Sequence, residues 1–89
     1  MLKLFNYMEK LVDESLEEIL PHYPDICKCS KCILDIKAIS LNNLPPCHVV
    51  TEEGALYIKL KNQLNLQEKA NIATAVTHAI ELVSKNPKH

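Results

Sequence analysis

The chain has 89 residues, with ten lysines, eleven acidic residues, no arginine and a formal net charge of −1. Nucleic-acid-binding proteins concentrate positive charge and use arginine to contact bases and phosphates, so this composition argues against a nucleic-acid partner. The single glycine excludes a glycine-rich phosphate-binding loop. We expect one domain, 1–89, whose small core would gain from a bound metal or a second subunit.

The first segment predicts an amphipathic helix over 6–20. Its apolar side chains recur mostly at spacings of three and four, at Leu4, Phe5, Met8, Leu11, Val12, Leu16, Ile19 and Leu20. Acidic residues occupy the other face, and Pro21 is expected to end the helix. The segment lacks the apolar core and cleavage site of a secretion signal, and no apolar run reaches membrane-spanning length. We therefore expect a cytoplasmic protein without membrane insertion.

Three cysteines follow within six residues, at Cys27, Cys29 and Cys32, and the fourth is Cys47. Cys27 and Cys29 are too close along the chain for an easy disulfide, and thiols in the cytoplasm stay reduced. Four thiolates are a typical ligand set for structural Zn²⁺. The pattern favours a zinc site, while a disulfide framework and free buried thiols are the alternatives.

A second helix is predicted over 30–41, with Ser30 as its N-cap and an i,i+4 ion pair between Lys31 and Asp35. Cys32 would then lie in the first turn, where the helix dipole favours a thiolate. Apolar residues cover most of the circumference of this helix, so we expect it in the centre of the core or at a dimer interface.

The Pro45-Pro46 turn is expected to bring Cys47 back to the first three cysteines as the fourth zinc ligand. His22 and His48 compete for that position. If Cys47 did not bind, a zinc ion held by three cysteines would keep an open position for water.

The last two segments complete a predicted all-α fold. Residues 52–63 favour a helix, although 55–60 can also be interpreted as a strand. Asn65 is a predicted N-cap with Glu68 three residues later, and the final helix carries an apolar stripe at Leu66, Ala70, Ala73, Val76, Ile80 and Val83. The sequence therefore predicts a small four-helix domain with a cysteine-rich zinc knuckle between helices 1 and 2.

One combination of residues extends beyond the cysteines: Cys27-x-Cys29-x-x-Cys32-x-x-Asp35, Ala38, Leu41-Asn42-x-Leu44-Pro45-Pro46, Val49 and Thr51. This combination resembles the signature of the late competence development protein ComFB family. The resemblance implies a small, mainly helical, zinc-stapled bacterial cytoplasmic protein that forms a homodimer. It also implies a role in competence or in type IV pilus and motility control, with some relatives acting as receptors for cyclic dinucleotides such as cyclic di-GMP.

Three functional hypotheses follow. The first is a receptor for cyclic di-GMP or cyclic di-AMP that uses Lys31, Asp35, Lys37 and Asn42. A simpler interpretation gives Asp35 a helix ion pair and Asn42 a capping role. The second is a zinc-stapled scaffold that binds an unknown regulatory protein. The third is a zinc enzyme or a thiol redox switch, but no spacing suggests a catalytic triad, so we expect a protein that is not an enzyme.

Overall fold

The computed structural model describes residues 3–51 and 65–85 of the chain. In chain order these residues form strand β1 (Lys3–Asn6), helix α1 (Met8–Ile19), a 3-10 helix (Leu20–His22), helix α2 (Ser30–Asn42), strand β2 (His48–Thr51) and helix α3 (Leu66–Lys85). The fold is mostly helical, as predicted. Within the described ranges, no helix is both long enough and apolar enough to cross a membrane.

The helix count differs from the prediction of four. Three α-helices lie in the parts of the chain that the structure describes. The predicted helix over 52–63, and its alternative as a strand at 55–60, fall outside the described residues. The two flanking predictions were accurate to within two residues, because α2 was expected at 30–41 and α3 from residue 66 onward.

A short antiparallel sheet, which the all-α prediction missed, joins the two ends of the first half of the chain. Strand β1 pairs with β2 in a register that places Lys3 opposite Thr51 and Asn6 opposite His48. Leu4 and Val50 face each other across this sheet and are exposed to 70% and 63%. Each strand has four residues, which is too short for an alternating pattern to identify it.

Helix α1 begins and ends differently from the predicted 6–20. It starts at Met8, whose backbone N–H donates to the Asn6 side-chain oxygen at 3.2 Å. The chain does not stop at Pro21 but tightens into the 3-10 helix, with Pro21 near its start. Proline is tolerated there because the first N–H groups of a helix have no partner within it.

Helix α2 has one fully buried stripe. Cys32, Ile36 and Ser40 are its buried residues, and they follow one another at intervals of four. The Ser40 hydroxyl donates to the Ile36 carbonyl at 2.8 Å, so this buried polar group is satisfied within the helix. Leu34, by contrast, is 62% exposed. The expected central position is met in part, because Ile33, Ile39 and Leu41 are half-buried against the core. The alternative position at a dimer interface stays a prediction.

Helix α3 supplies half of the core, but from a stripe shifted relative to the predicted one. Its N-cap is as predicted, because the Asn65 side-chain oxygen accepts from the Glu68 N–H at 2.8 Å. Its buried residues are Ile72, Ala75, Val76, Ala79, Ile80 and Val83. Leu66, expected in the stripe, is 85% exposed. The predicted apolar stripe is therefore confirmed only in the second half of the helix, at Val76, Ile80 and Val83.

The connection between sheet and bundle depends on Asn6. Its side-chain oxygen accepts from the N–H groups of Met8 at 3.2 Å and Cys47 at 2.8 Å. Beside it, the N–H of the buried Tyr7 donates to the Cys47 carbonyl at 2.6 Å. One side chain thus satisfies the start of α1 and holds the segment that follows α2.

Replacing Asn6 with alanine should lower the free energy of unfolding by about 2 kcal/mol, because two partly buried N–H groups lose their acceptor. Asn6→Asp keeps an acceptor oxygen and should stay close to the wild type. Urea unfolding followed by circular dichroism measures both.

The matched control is Asn43→Ala. The exposed Asn43 amide donates to the Ile39 carbonyl at 2.9 Å, and its loss should cost under about 0.5 kcal/mol. If Asn6→Ala were as stable as Asn43→Ala, the role assigned to Asn6 would be wrong.

Candidate metal centre

Three cysteines are gathered between the end of α1 and the start of α2. We call Cys27, Cys29 and Cys32 the cysteine cluster. After the 3-10 helix the chain turns at Pro24 and Asp25 and approaches α2 in an irregular conformation. Cys29, with φ −68° and ψ 164°, is the N-cap of α2, so the predicted cap Ser30 is instead the first helical residue. Cys32 lies in the first turn, as predicted.

The sulfur atoms of the cluster all lie within 4.8 Å of one another. Cys27 and Cys29 are exposed, whereas Cys32 is fully buried. Cys27 and Cys32 line a cavity of about 30 Å³ together with Ile36 of α2 and Ile80 of α3. The cluster therefore has one sulfur in the core and two at the surface.

The predicted fourth ligand, Cys47, is not part of the cluster. It is half-buried and hydrogen-bonded through its backbone to Asn6 and Tyr7, beside the start of α1. The cluster follows the end of α1 and precedes α2, while Cys47 follows the end of α2. Helix α2 has 13 residues and is about 20 Å long, so it separates the two positions. The Pro45-Pro46 turn leads Cys47 to the sheet and not back to the cluster.

The two histidines considered for the same position also lie apart from the cluster. His22 is exposed at the end of the 3-10 helix. His48 is exposed in β2, opposite Asn6, at the end of α2 away from the cysteines. Among the residues that the structure describes, the cluster groups three ligands.

The three thiols have different acid strengths. The pKa of Cys29 is lowered, chiefly by the backbone N–H of Cys32 and then by the Cys27 thiol, although no capping hydrogen bond of ordinary geometry forms. Burial raises the pKa of Cys32 to about 12, and the neighbouring Cys27 and Cys29 thiols add to this. The raised pKa of Cys32 opposes the predicted effect of the helix dipole on this thiol. The thiol with the lowered pKa is instead that of the N-cap residue, Cys29.

The donor set fits a soft divalent cation. Zn–S bonds of about 2.3 Å in a tetrahedron place two sulfurs about 3.8 Å apart. Sulfur atoms already within 4.8 Å need only a small contraction to reach that spacing. Cys27, Cys29 and Cys32 would hold the ion, and binding would displace their protons. A metal bound there would join the loop before α2 to the first turn of that helix.

The residues predicted to bind a cyclic dinucleotide do not converge on one site. The Lys31 ammonium donates to both carboxylate oxygens of Asp35 at 2.6 and 2.7 Å, which is the predicted helix ion pair. Lys37 instead reaches Asp13 of α1 at 2.9 Å. Lys31 and Lys37 lie about 120° apart around the helix, and Asn42 lies about 16 Å along the axis from Lys31.

A larger concave surface lies elsewhere, and the sequence did not reveal it. An open groove of about 530 Å³ separates α1 from the first half of α3, and we call it the α1–α3 groove. Leu11, Ile19 and Ile72 contribute apolar surface, while Glu18 and Lys69 contribute charges of opposite sign. No sequence pattern indicated the groove, because the predicted apolar stripe of α3 included Leu66, Ala70 and Ala73, which line it.

A mostly helical fold with three thiols gathered at a helix N-terminus defines a small cysteine-cluster protein. The chain belongs to the late competence development protein ComFB family, whose family model matches residues 5–87. A solved structure, that of the late competence protein ComFB from Bacillus subtilis, has the same fold, with a TM-score of 0.79 and 24% sequence identity. The match covers 97% of this chain and 96% of that chain. No curated protein matches the sequence.

The difference in acid strength predicts an order of reaction. In chelator-treated protein at pH 7.5, limiting iodoacetamide should modify Cys29 well before Cys32, because the first thiol has the lowered pKa and is exposed while the second is buried with a pKa of about 12. Tryptic cleavage after Lys28 and Lys31 places the two cysteines on separate peptides for mass spectrometry.

The same labelling in urea provides the control, since unfolding should bring the two rates together. Equal rates in the folded protein would contradict the assignment.

Proposed function

We propose that this chain is a non-enzymatic regulatory protein of the ComFB type, acting in the cytoplasm as a zinc-stabilised homodimer in competence or in type IV pilus and motility control. The observation that carries the proposal is the cysteine cluster, whose three sulfurs lie within 4.8 Å of one another. Family membership supports the biological process, by association with relatives.

The surroundings of the cluster support a structural ion over a catalytic one. The cavity next to Cys32 is lined mainly by the apolar side chains of Ile26, Ile36, Ile80 and Val83. General acid–base chemistry needs a titratable side chain within hydrogen-bond reach of the reacting group. The apolar walls instead pack Cys32 of the cluster against α3.

Exposed apolar side chains support self-association. Leu4 and Val50 form an apolar pair on the sheet, and Leu34, Leu66 and Leu82 are further large apolar side chains exposed on the helices. Of these, only Leu4 and Val50 are paired, and an exposed apolar pair on a short sheet is a candidate contact with a second subunit. A dimer would cover some of this surface and add to a core that is small for independent stability.

Native mass spectrometry tests the metal and the dimer together. The expected species contains two chains of 10.1 kDa and two zinc ions. Chelation should remove the zinc and lower the Tm by several degrees, because an ion that binds only the folded state stabilises it.

Cys29→Ser should lose the zinc, whereas the matched variant Cys47→Ser should retain it, since Cys47 lies at the other end of α2. A folded wild-type protein without metal would refute the zinc site. A single-chain species at micromolar concentration would refute the dimer while leaving the zinc site standing.

The proposal also includes a ligand, a cyclic dinucleotide. Its support is the family resemblance, together with an exposed lysine, Lys31, that can pair with phosphate as a point charge. Asp35 and Asn42 share its side of α2, within about 40° around the axis. Lys37 would have to break its ion pair with Asp13 in order to contact the nucleotide.

Calorimetric titration with cyclic di-GMP and cyclic di-AMP measures this binding. We expect saturable heat with one of them, and at least about tenfold weaker binding after Lys31→Ala if the lysine contacts phosphate. Lys3→Ala, in the sheet beyond the other end of α2, should bind as the wild type does. No heat with either nucleotide in excess would reject the receptor function.

A scaffold without a small-molecule ligand is the second candidate, and the paired lysines favour it. Lys31 and Lys37 both hold carboxylate partners, and they lie about 120° apart around α2. The α1–α3 groove, with its apolar walls, then becomes the surface for an unknown regulatory protein.

A further inference from the structure

Two cysteines of the cluster are placed by α2 itself. Cys29 is the N-cap and Cys32 is the third residue of the helix, after Ser30 and Lys31. The side chain of an N-cap residue extends over the backbone of the third helical residue, which is how capping side chains reach that N–H group. Cys29 and Cys32 are therefore neighbours because of helix geometry, with their sulfur atoms within 4.8 Å.

The two sulfurs differ in access. Cys29 is exposed on extended backbone, so its side chain can meet a small molecule from solvent. Cys32 is fully buried beside the small cavity that Ile36 and Ile80 help to line. An exposed thiol followed three residues later by a buried one, at the start of a helix, is an arrangement suited to a reacting and a resolving cysteine.

We propose that Cys29 and Cys32 form a two-electron thiol–disulfide couple, in which Cys29 reacts with a hydroperoxide and Cys32 resolves the product. In the first step the Cys29 thiol attacks one peroxide oxygen, the O–O bond breaks, and sulfenic acid and water form with hydrogen peroxide as oxidant. In the second step the Cys32 sulfur attacks the Cys29 sulfur, and the hydroxyl leaves as water. The sum is two thiols and one peroxide giving one disulfide and two waters.

Cys27 is the third member of the cluster but the poorer partner for Cys29. One residue separates the two, and a disulfide needs Cβ atoms about 3.8 Å apart with a dihedral angle near 90°. The short separation along the chain makes that geometry difficult, although the sulfur atoms of Cys27 and Cys29 also lie within 4.8 Å of each other. Cys29 and Cys32 are three residues apart at the start of a helix, a spacing that brings Cα atoms into the range a disulfide spans.

The couple goes beyond the proposed metal site and does not require it. The same two sulfurs would serve as metal ligands, so a disulfide between them removes two ligands from the cluster. Oxidation and metal binding then exclude each other. The dithiol chemistry itself belongs to the thiols and is measurable in metal-free protein.

Peptide mapping tests the couple in the full chain. Trypsin cleaves after Lys10, Lys28, Lys31 and Lys37, which places each of the four cysteines on a different peptide. Chelator-treated protein is exposed to equimolar hydrogen peroxide, remaining thiols are alkylated, and linked peptides are identified by mass spectrometry. We expect the loss of two thiols per chain, with the Cys29 and Cys32 peptides linked more abundantly than any other pair.

Variants separate the roles of the two sulfurs. Cys47→Ser should oxidise as the wild type does. Cys32→Ser should give no linked Cys29 peptide and a sulfenic acid at Cys29 that a dimedone probe traps. If Cys32→Ser fails to fold, the linked peptides identified in the wild-type protein are sufficient to test the proposal. A dominant link through Cys27, or four thiols intact under conditions that oxidise free cysteine, would overturn the proposal.

A parallel arm with zinc-loaded protein distinguishes the two proposals. Zinc released in step with the lost thiols would support both. If the protein held no zinc but the Cys29–Cys32 link formed, the metal site would fail and the couple would stand. If zinc were bound and the chelated protein gave no link, the couple would fail alone.

Discussion

The burial of Cys32 between α2 and α3 is the contact on which the arrangement of the cluster depends. Its sulfur lies in the apolar interior, next to Ile36 on its own helix and Ile80 on the opposite one. Because this cysteine is held by core packing, the position of the α2 N-terminus is fixed relative to α3. Cys29 as N-cap, and Cys27 before it, are then held over a buried anchor instead of on a free loop.

Helix α2 also divides the molecule into two chemically distinct ends. Its N-terminus carries the three clustered thiols, and its C-terminus leads to the Asn6 hydrogen bonds and the two-stranded sheet. A helix of 13 residues does not shorten to let a distant residue approach. The end with Cys47 is therefore a structural junction, held by hydrogen bonds that join the Cys47 backbone to Asn6 and Tyr7.

Local features were predictable from the sequence, and long-range ones were not. The cysteine cluster was predictable because its three cysteines lie within six residues at the start of one helix. The Asn65 cap was predictable because it involves residues only three apart. The sheet was missed because each short strand finds its partner more than forty residues away. Cys47 was misplaced for the same reason. Its position depends on pairing with Asn6 and Tyr7, which no local pattern records.

The cysteine cluster has one thiol in the core and two at the surface, so proton loss or metal binding at these thiols is coupled to folding. Burial makes Cys32 hold its proton up to a pKa of about 12, so a cation must displace that proton in order to bind, and its affinity falls as the pH falls. Any ligand that binds the folded cluster more tightly than the unfolded chain stabilises the fold. The gain in the free energy of unfolding depends on the difference between the two affinities and on the ligand concentration. Because Cys32 contributes to the packing of α2 on α3, a change at its sulfur acts directly on the core. Cys29, exposed beside the buried Cys32, is a member of the cluster that solvent reaches directly.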